Sequence, residues 1–179
     1  PILKAIASCK RIKIKYQPFW SEKSKTHIIK PYLLKEYRNR WYLIGYFNWG
    51  GEVTIFGLDR IVDLEIQEKY FERNKDFDSI KIFKDTLGIT INTTEPFEVK
   101  LSINKQEAEY IKSLPLHHSQ KIVSEDENKV IISLFVNDSY ELESAILGLG
   151  NQVKVIEPED LKARIIKKHQ ESLKNYSKF

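Results

Sequence analysis

The sequence of 179 residues contains no methionine and a single cysteine, Cys9. A lone thiol closes no internal disulfide, which fits a reducing compartment and argues against a stapled secreted scaffold. No apolar run approaches the roughly 18 residues of a membrane span, and no secretory pattern opens the chain. A cytoplasmic protein without membrane contact is therefore expected. Dinucleotide and Walker glycine patterns are missing, as are paired carboxylates and Cys/His sets at catalytic or metal-ligating spacing. His117-His118 lacks a cysteine or acidic partner at metal spacing, and Ser119 beside it lacks a positioned base or an oxyanion site. Cys9, next to Lys10 and Arg11, reads as a small buried residue at a helix end rather than a reactive thiol. No metal, no cofactor and no catalytic residue is expected. The chain opens at Pro1 in mid-pattern, as a fragment would.

Charge is unevenly spread along the chain. Residues 1–40 hold 11 Lys and Arg against two carboxylates, Glu22 and Glu36, a net +9, while the remaining 18 against 23 give −5. Such a basic stretch attracts polyanions, although a charge run is more often a solvated face.

Ile12, Ile14 and Tyr16 alternate with Lys13 and Lys15 at the period of a half-buried strand, basic on its open face. A loop over 17–25 leads to a strand over 26–34, where Pro31 marks an edge or a bulge. A turn at Arg38-Asn39 precedes a strand over 40–47. The hairpin residues 48–51 follow, then strands over 53–56 and 61–68. Five short strands with no helix among them predict a small SH3-like or Sm-like β-barrel over residues 1–72. Residues 73–95 break into mixed charge and read as a linker, with a short helix over 79–87.

The remainder, 96–179, reads strand (97–103), helix (105–113), strands (120–124 and 129–136) and helix (140–148). That helix is capped by Asn137, Asp138 or Ser139 and ends at Gly148 or Gly150. A strand over 152–156 and a basic helix after Pro158 complete it. This β-α-β-β-α-β order predicts a ferredoxin-like domain, so the fold class is α+β.

Arg40-Trp41-Tyr42-Leu43, preceded by Lys30-Pro31-Tyr32-Leu33-Leu34 and followed by Phe56-Gly57-Leu58-Asp59-Arg60-Ile61, resembles the WYL domain, named for its Trp-Tyr-Leu triplet. Val153-Lys154-Val155-Ile156-Glu157-Pro158 and Leu161 resemble its companion, the WYL C-terminal extension (WCX). Leu114-Pro115-Leu116-His117-His118-Ser119-Gln120 is similar to the form found in Bacteroidetes proteins. The resemblance implies a bacterial transcriptional regulator whose N-terminal helix-turn-helix domain, the reader of promoter DNA, is absent from this stretch. It implies a barrel that senses single-stranded DNA or RNA or a nucleotide-like ligand, and an extension that makes homodimer contacts. The family's ligand surface falls on Tyr16, Trp41, Tyr42 and Arg60. His27 and Thr54 stand where many members carry arginine, two fewer fixed cations.

Physically, aromatics interleaved with cations suit a single strand, because phosphates meet Lys or Arg while bases stack on rings. Arg60 is the expected central anion contact, since its planar fork matches phosphate oxygens. Arg40, Arg38, His27, Lys13 and Lys15 are the expected supporting charges, with Tyr16 and Tyr42 as stacking or hydroxyl contacts. Two alternatives stand beside this: Trp41 as a packing residue, and Arg60 as a structural corner residue paired by Asp59. Three functional classes follow, a ligand-sensing module, a purely structural dimerisation module and, with least support, an enzyme acting on nucleic acid.

Overall fold

The computed structural model describes residues 1–92 and 94–176. The chain forms two compact units, residues 1–77 and the part from Asp78 onward.

The first unit opens with a short helix α1 (Ile2–Ala7), which buries Ala5 and ends just before Cys9, where a helix end was expected; Cys9 itself is only half-buried. Five strands follow: β1 (Lys10–Tyr16), β2 (Lys25–Tyr37), β3 (Arg40–Phe47), β4 (Gly50–Gly57) and β5 (Ile61–Tyr70). They form one antiparallel sheet in the order β4-β3-β2-β1-β5. The sheet does not close, which corrects the expected barrel. A 3₁₀ turn at Leu58–Arg60 carries the chain from β4 across to β1, so β5 uses its pairing edge on β1. Among the described residues no pairing joins β4 to β5. Register shifts at Pro31/Leu33, Lys15/Tyr16 and Tyr46/Phe47 bend the sheet around its core.

The β1 alternation holds: Ile12, Ile14 and Tyr16 are buried with Ile29, Leu43 and Phe56, and the lysines between them face outward. Each buried isoleucine contributes about 1.5–3 kcal/mol of apolar burial. Arg38 and Asn39 both adopt left-handed backbone, at φ 50° and 61°, the conformation of a two-residue hairpin turn. At Gly45 a Cβ would overlap the Lys30 carbonyl oxygen, so only glycine lets β3 approach β2 beside Pro31. Phe71 and Phe77 pack on Tyr32 at 5.4 and 4.5 Å, and the Asn74 N–H donates to the Tyr32 hydroxyl at 2.7 Å. These contacts attach residues 71–77 to the first unit.

The second unit begins with α2 (Ser79–Phe83), capped by the Asp78 carboxylate, which accepts from the N–H groups of Ile80 and Lys81. Then come β6 (Phe97–Asn104), α3 (Lys105–Ser113), β7 (Lys121–Glu125), β8 (Lys129–Val136), α4 (Tyr140–Gly148), β9 (Val153–Glu157) and α5 (Glu159–Tyr176). The sheet is antiparallel in the order β7-β8-β6-β9. One face carries Val99, Leu101, Ile103, Val130, Ile132 and Leu134, which share a core with residues of α3, α4 and α5. Ser139 is the α4 cap, its hydroxyl accepting from the Leu142 N–H at 3.1 Å. Leu87 and Ile89 are buried in the second unit, Leu87 within its core, so the expected linker is divided between the two units. No helix among the described residues is long and apolar enough to cross a membrane.

Candidate functional site

The 3₁₀ turn Leu58–Arg60 and the loop after β1 meet at one end of the first sheet. The Gln17 N–H donates to the Arg60 carbonyl at 3.0 Å, which ties the loop to the turn. Pro18 starts a tight turn closed by the Ser21 N–H on the Pro18 carbonyl at 3.0 Å, with Phe19 and Trp20 at its centre. Both rings are held toward solvent, Phe19 69% and Trp20 86% exposed. Between loop and turn lies an open hollow of about 600 Å³, lined by Phe19, Trp20, Glu22, Asp59, Arg60 and neighbouring residues.

Arg60 lies in this hollow between two rings, its guanidinium carbon 5.6 Å from the Tyr16 centroid and 5.1 Å from that of Phe19. Arg40 approaches the same Phe19 ring at 5.8 Å. Asp59 sits between the two cations, 3.4 Å from Arg60 Nε and 3.6 Å from Arg40 Nη1. Both distances exceed the roughly 2.7–2.9 Å of a direct charge-assisted hydrogen bond, so the carboxylate is shared loosely. Arg60 Nε is buried with no hydrogen-bond partner. Its charge is met by Asp59 at 3.4 Å, so the donors left for a ligand are the terminal nitrogens rather than this buried atom. The guanidinium occupies the space beside Gly57, where a Cβ would overlap Arg60 Nη2 and lie 2.6 Å from Asp59 Oδ1. Gly57 has ordinary extended backbone, φ −67° and ψ 129°, so glycine serves there as room for the side chain.

Burial raises the Tyr16 phenol pKa, while the Arg60 charge and a backbone hydrogen bond with Gly57 pull it down. The phenol therefore stays protonated at neutral pH. Tyr16 meets Phe56 edge-on at 4.9 Å, and His27 packs on Phe47 and Phe56 at 5.4 and 5.6 Å. Trp49 stacks on Phe47 at 4.8 Å. Rings and guanidiniums thus form a continuous series from Trp49 through Phe47, Phe56, Tyr16, Arg60 and Phe19 to Arg40.

The expected site residues are only partly brought together. Arg60, Arg40 and Tyr16 converge, and Tyr42 lies opposite Gly57 on β4, close enough to act electrostatically on Tyr16. Lys13 and Lys15 do not join them. They occupy the other face of β1, where Lys13 lies 3.6 Å from Glu65 and Lys15 is opposite Asp63. His27 packs on Phe47 and Phe56, and burial first and Lys25 second lower its pKa, which disfavours its charged form. Arg38 sits in the β2–β3 turn with its guanidinium over Tyr37 at 5.4 Å. Trp41 is 53% exposed at the start of β3, which corrects the packing alternative, while Leu43 two residues on is fully buried. Phe19, Trp20 and Gly57 line or shape the hollow and were not among the expected site residues. The available signal was a Pro-Phe-Trp loop between two basic strands, since aromatics in a short turn have no core to enter.

Family models match the WYL domain over residues 1–66 and the WCX domain over residues 95–173. A search of curated proteins finds no match. Among solved structures, proteasome accessory factor B/C (PafBC) of Arthrobacter aurescens is similar at 20% identity and a TM-score of 0.43, covering 94% of this chain. A CRISPR Cas-related protein is similar at 14% identity and a TM-score of 0.60, covering 98% of this chain. This chain spans 26% of the first protein and 50% of the second.

Proposed function

The chain belongs to the proteins that carry a WYL domain followed by a WCX domain, and we propose that it is the ligand-sensing and dimerisation region of a bacterial transcriptional regulator. The first sheet is read as a bent SH3-like or Sm-like sheet, and the second unit, with its β7-β8-β6-β9 order, as ferredoxin-like. The ligand is single-stranded DNA or RNA, or a nucleotide-like anion, held in the hollow beside Arg60. The observation that carries this reading is the Arg60 guanidinium, lodged over Gly57 between Tyr16 and Phe19 and held by Asp59 at 3.4 Å rather than by a direct hydrogen bond.

Phosphate oxygens would take up the donors of Arg60 and Arg40 that Asp59 holds only at a distance, and bases would stack on Phe19 and Trp20. The carboxylates of Asp59 and Glu22 on the same hollow oppose a highly charged ligand, which favours a short strand whose bases contribute to binding. Fluorescence anisotropy of a labelled single-stranded oligonucleotide tests this. Affinity is expected to fall with salt at a log–log slope of about −0.7 per phosphate contacted. A duplex bound equally well, or affinity indifferent to salt, would remove the reading. Lys13→Ala/Lys15→Ala is expected to change that affinity no more than about threefold, since both lysines face away from the hollow and act only through screened distance.

The Asp59–Arg60 and Asp59–Arg40 pairs favour a second reading, a structural corner in a purely dimerising module. Sedimentation with and without oligonucleotide separates the two: the sensing reading expects a change in mass or shape on addition, the structural one a homodimer indifferent to it.

A further inference from the structure

The second unit is acidic overall, yet its sheet bears a hollow whose charged lining is entirely cationic. Three strands contribute to this open face. Ser102 on the central strand β6 is paired with Ile131 of β8 on one side and Lys154 of β9 on the other, and all three lie on the face opposite the core. Lys129, two residues before Ile131 on β8, shares that face. From α5, Lys162 reaches the same hollow, which measures about 310 Å³. That volume is near the lower bound of ligand pockets, about 300 Å³.

We propose that this depression is a phosphate-binding site built by Lys129, Lys154 and Lys162 around the Ser102 hydroxyl. Lysines from three separate elements line it, and no carboxylate is among its lining residues. The acids in the neighbourhood already have partners, Lys162 of the site itself among them. Asp126 accepts from the N–H groups of Asn128 and Lys129, Glu157 pairs with Lys100 at 2.8 Å, and Glu159 pairs with Lys162 at 2.8 Å. Lys129 interacts electrostatically with Asp126, whose carboxylate accepts from its N–H, and Lys162 is shared with Glu159, which leaves Lys154 as the cation least offset by acids. The short Ser102 side chain makes the depression, while Ile131 and Ile156 give it an apolar floor that weakens competition from water. Point-charge ammoniums with a hydroxyl donor suit a phosphate, whether a free phosphate monoester or a phosphodiester of a nucleic acid. The site is independent of the Arg60 hollow.

The test uses the whole chain carrying Arg60→Ala, so that the first hollow does not contribute. Amide NMR shifts are followed on adding inorganic phosphate and, separately, a single-stranded oligonucleotide of about ten nucleotides. Shifts centred on Ser102, Lys129 and Lys154 are expected. Phosphate alone producing them identifies a monoester site, and the oligonucleotide alone a phosphodiester site. Lys129→Ala/Lys154→Ala is expected to weaken the response by about tenfold, with Lys167→Ala/Lys174→Ala leaving it within about twofold. No shift at these amides with either probe would overturn the proposal. So would an equal loss in both double variants, which marks a diffuse charge effect.

Discussion

Arg60→Ala is expected to weaken binding of a short single-stranded oligonucleotide by about a hundredfold, and Gly57→Ala to do nearly as much with the fold intact. The first removes the planar donor at the centre of the hollow. The second leaves every donor in the sequence and takes away only the space that holds one of them. An alanine Cβ at position 57 would overlap Arg60 Nη2 and crowd Asp59 Oδ1, so the guanidinium must move off its seat between Tyr16 and Phe19. The atoms displaced are ends of flexible side chains, and the backbone there is ordinary extended chain that alanine adopts without strain. The melting temperature of Gly57→Ala should therefore stay within about 2 °C of the parent while affinity collapses. Anisotropy titration beside a thermal melt reads both. Unchanged affinity in Gly57→Ala would mean that the observed seat of Arg60 has no part in binding.

The largest stability effect is expected at Glu141, which is 4% exposed on α4. Its Oε1 accepts from the Thr90 N–H at 3.1 Å, the Thr90 hydroxyl at 2.9 Å and the Ile89 N–H at 3.4 Å. Asn92 and Asn137 fasten the same segment, Asn92 donating to the Asp138 carbonyl at 2.8 Å and Asn137 to that of Thr94. Glu141→Leu deprives two N–H groups of their acceptor in a buried place, at a cost of about 3 kcal/mol. Glu141→Gln keeps the Oε1 acceptor and places an amide at Oε2, which has no partner, so it should stay within about 1 kcal/mol. Urea unfolding measures the difference, and hydrogen exchange at Ile89 and Thr90 should quicken in the leucine variant alone. Equal stability of the two variants would show that this carboxylate does not hold the segment.

Local rules carried the elements well where one residue decides the outcome. The β1 alternation, the Arg38-Asn39 turn and the Ser139 cap follow from side-chain period, left-handed tolerance and a hydroxyl at a helix start. Closure of the first sheet was not legible, because it depends on which edge β5 pairs with, a choice made through the 3₁₀ turn rather than in any strand. Charge position was half legible. Arg60 and Arg40 stand in motifs near in sequence, whereas Lys13 and Lys15 are separated from them by strand parity alone. His27 reads as a cation in a basic stretch, yet it is half-buried against two phenylalanines from β3 and β4, which lowers its pKa. The lysine hollow on the second sheet was invisible in sequence. Ser102, Lys129, Lys154 and Lys162 lie far apart along an acidic stretch and meet only through strand order and the placement of α5.

A structure of the chain bound to a short single-stranded oligonucleotide tests the central claim most directly. It should place a phosphate group within about 3 Å of the Arg60 terminal nitrogens, with a base against Phe19 or Trp20. A strand bound elsewhere on the first sheet, with Arg60 still closed onto Asp59 and the hollow empty of ligand, would contradict the account.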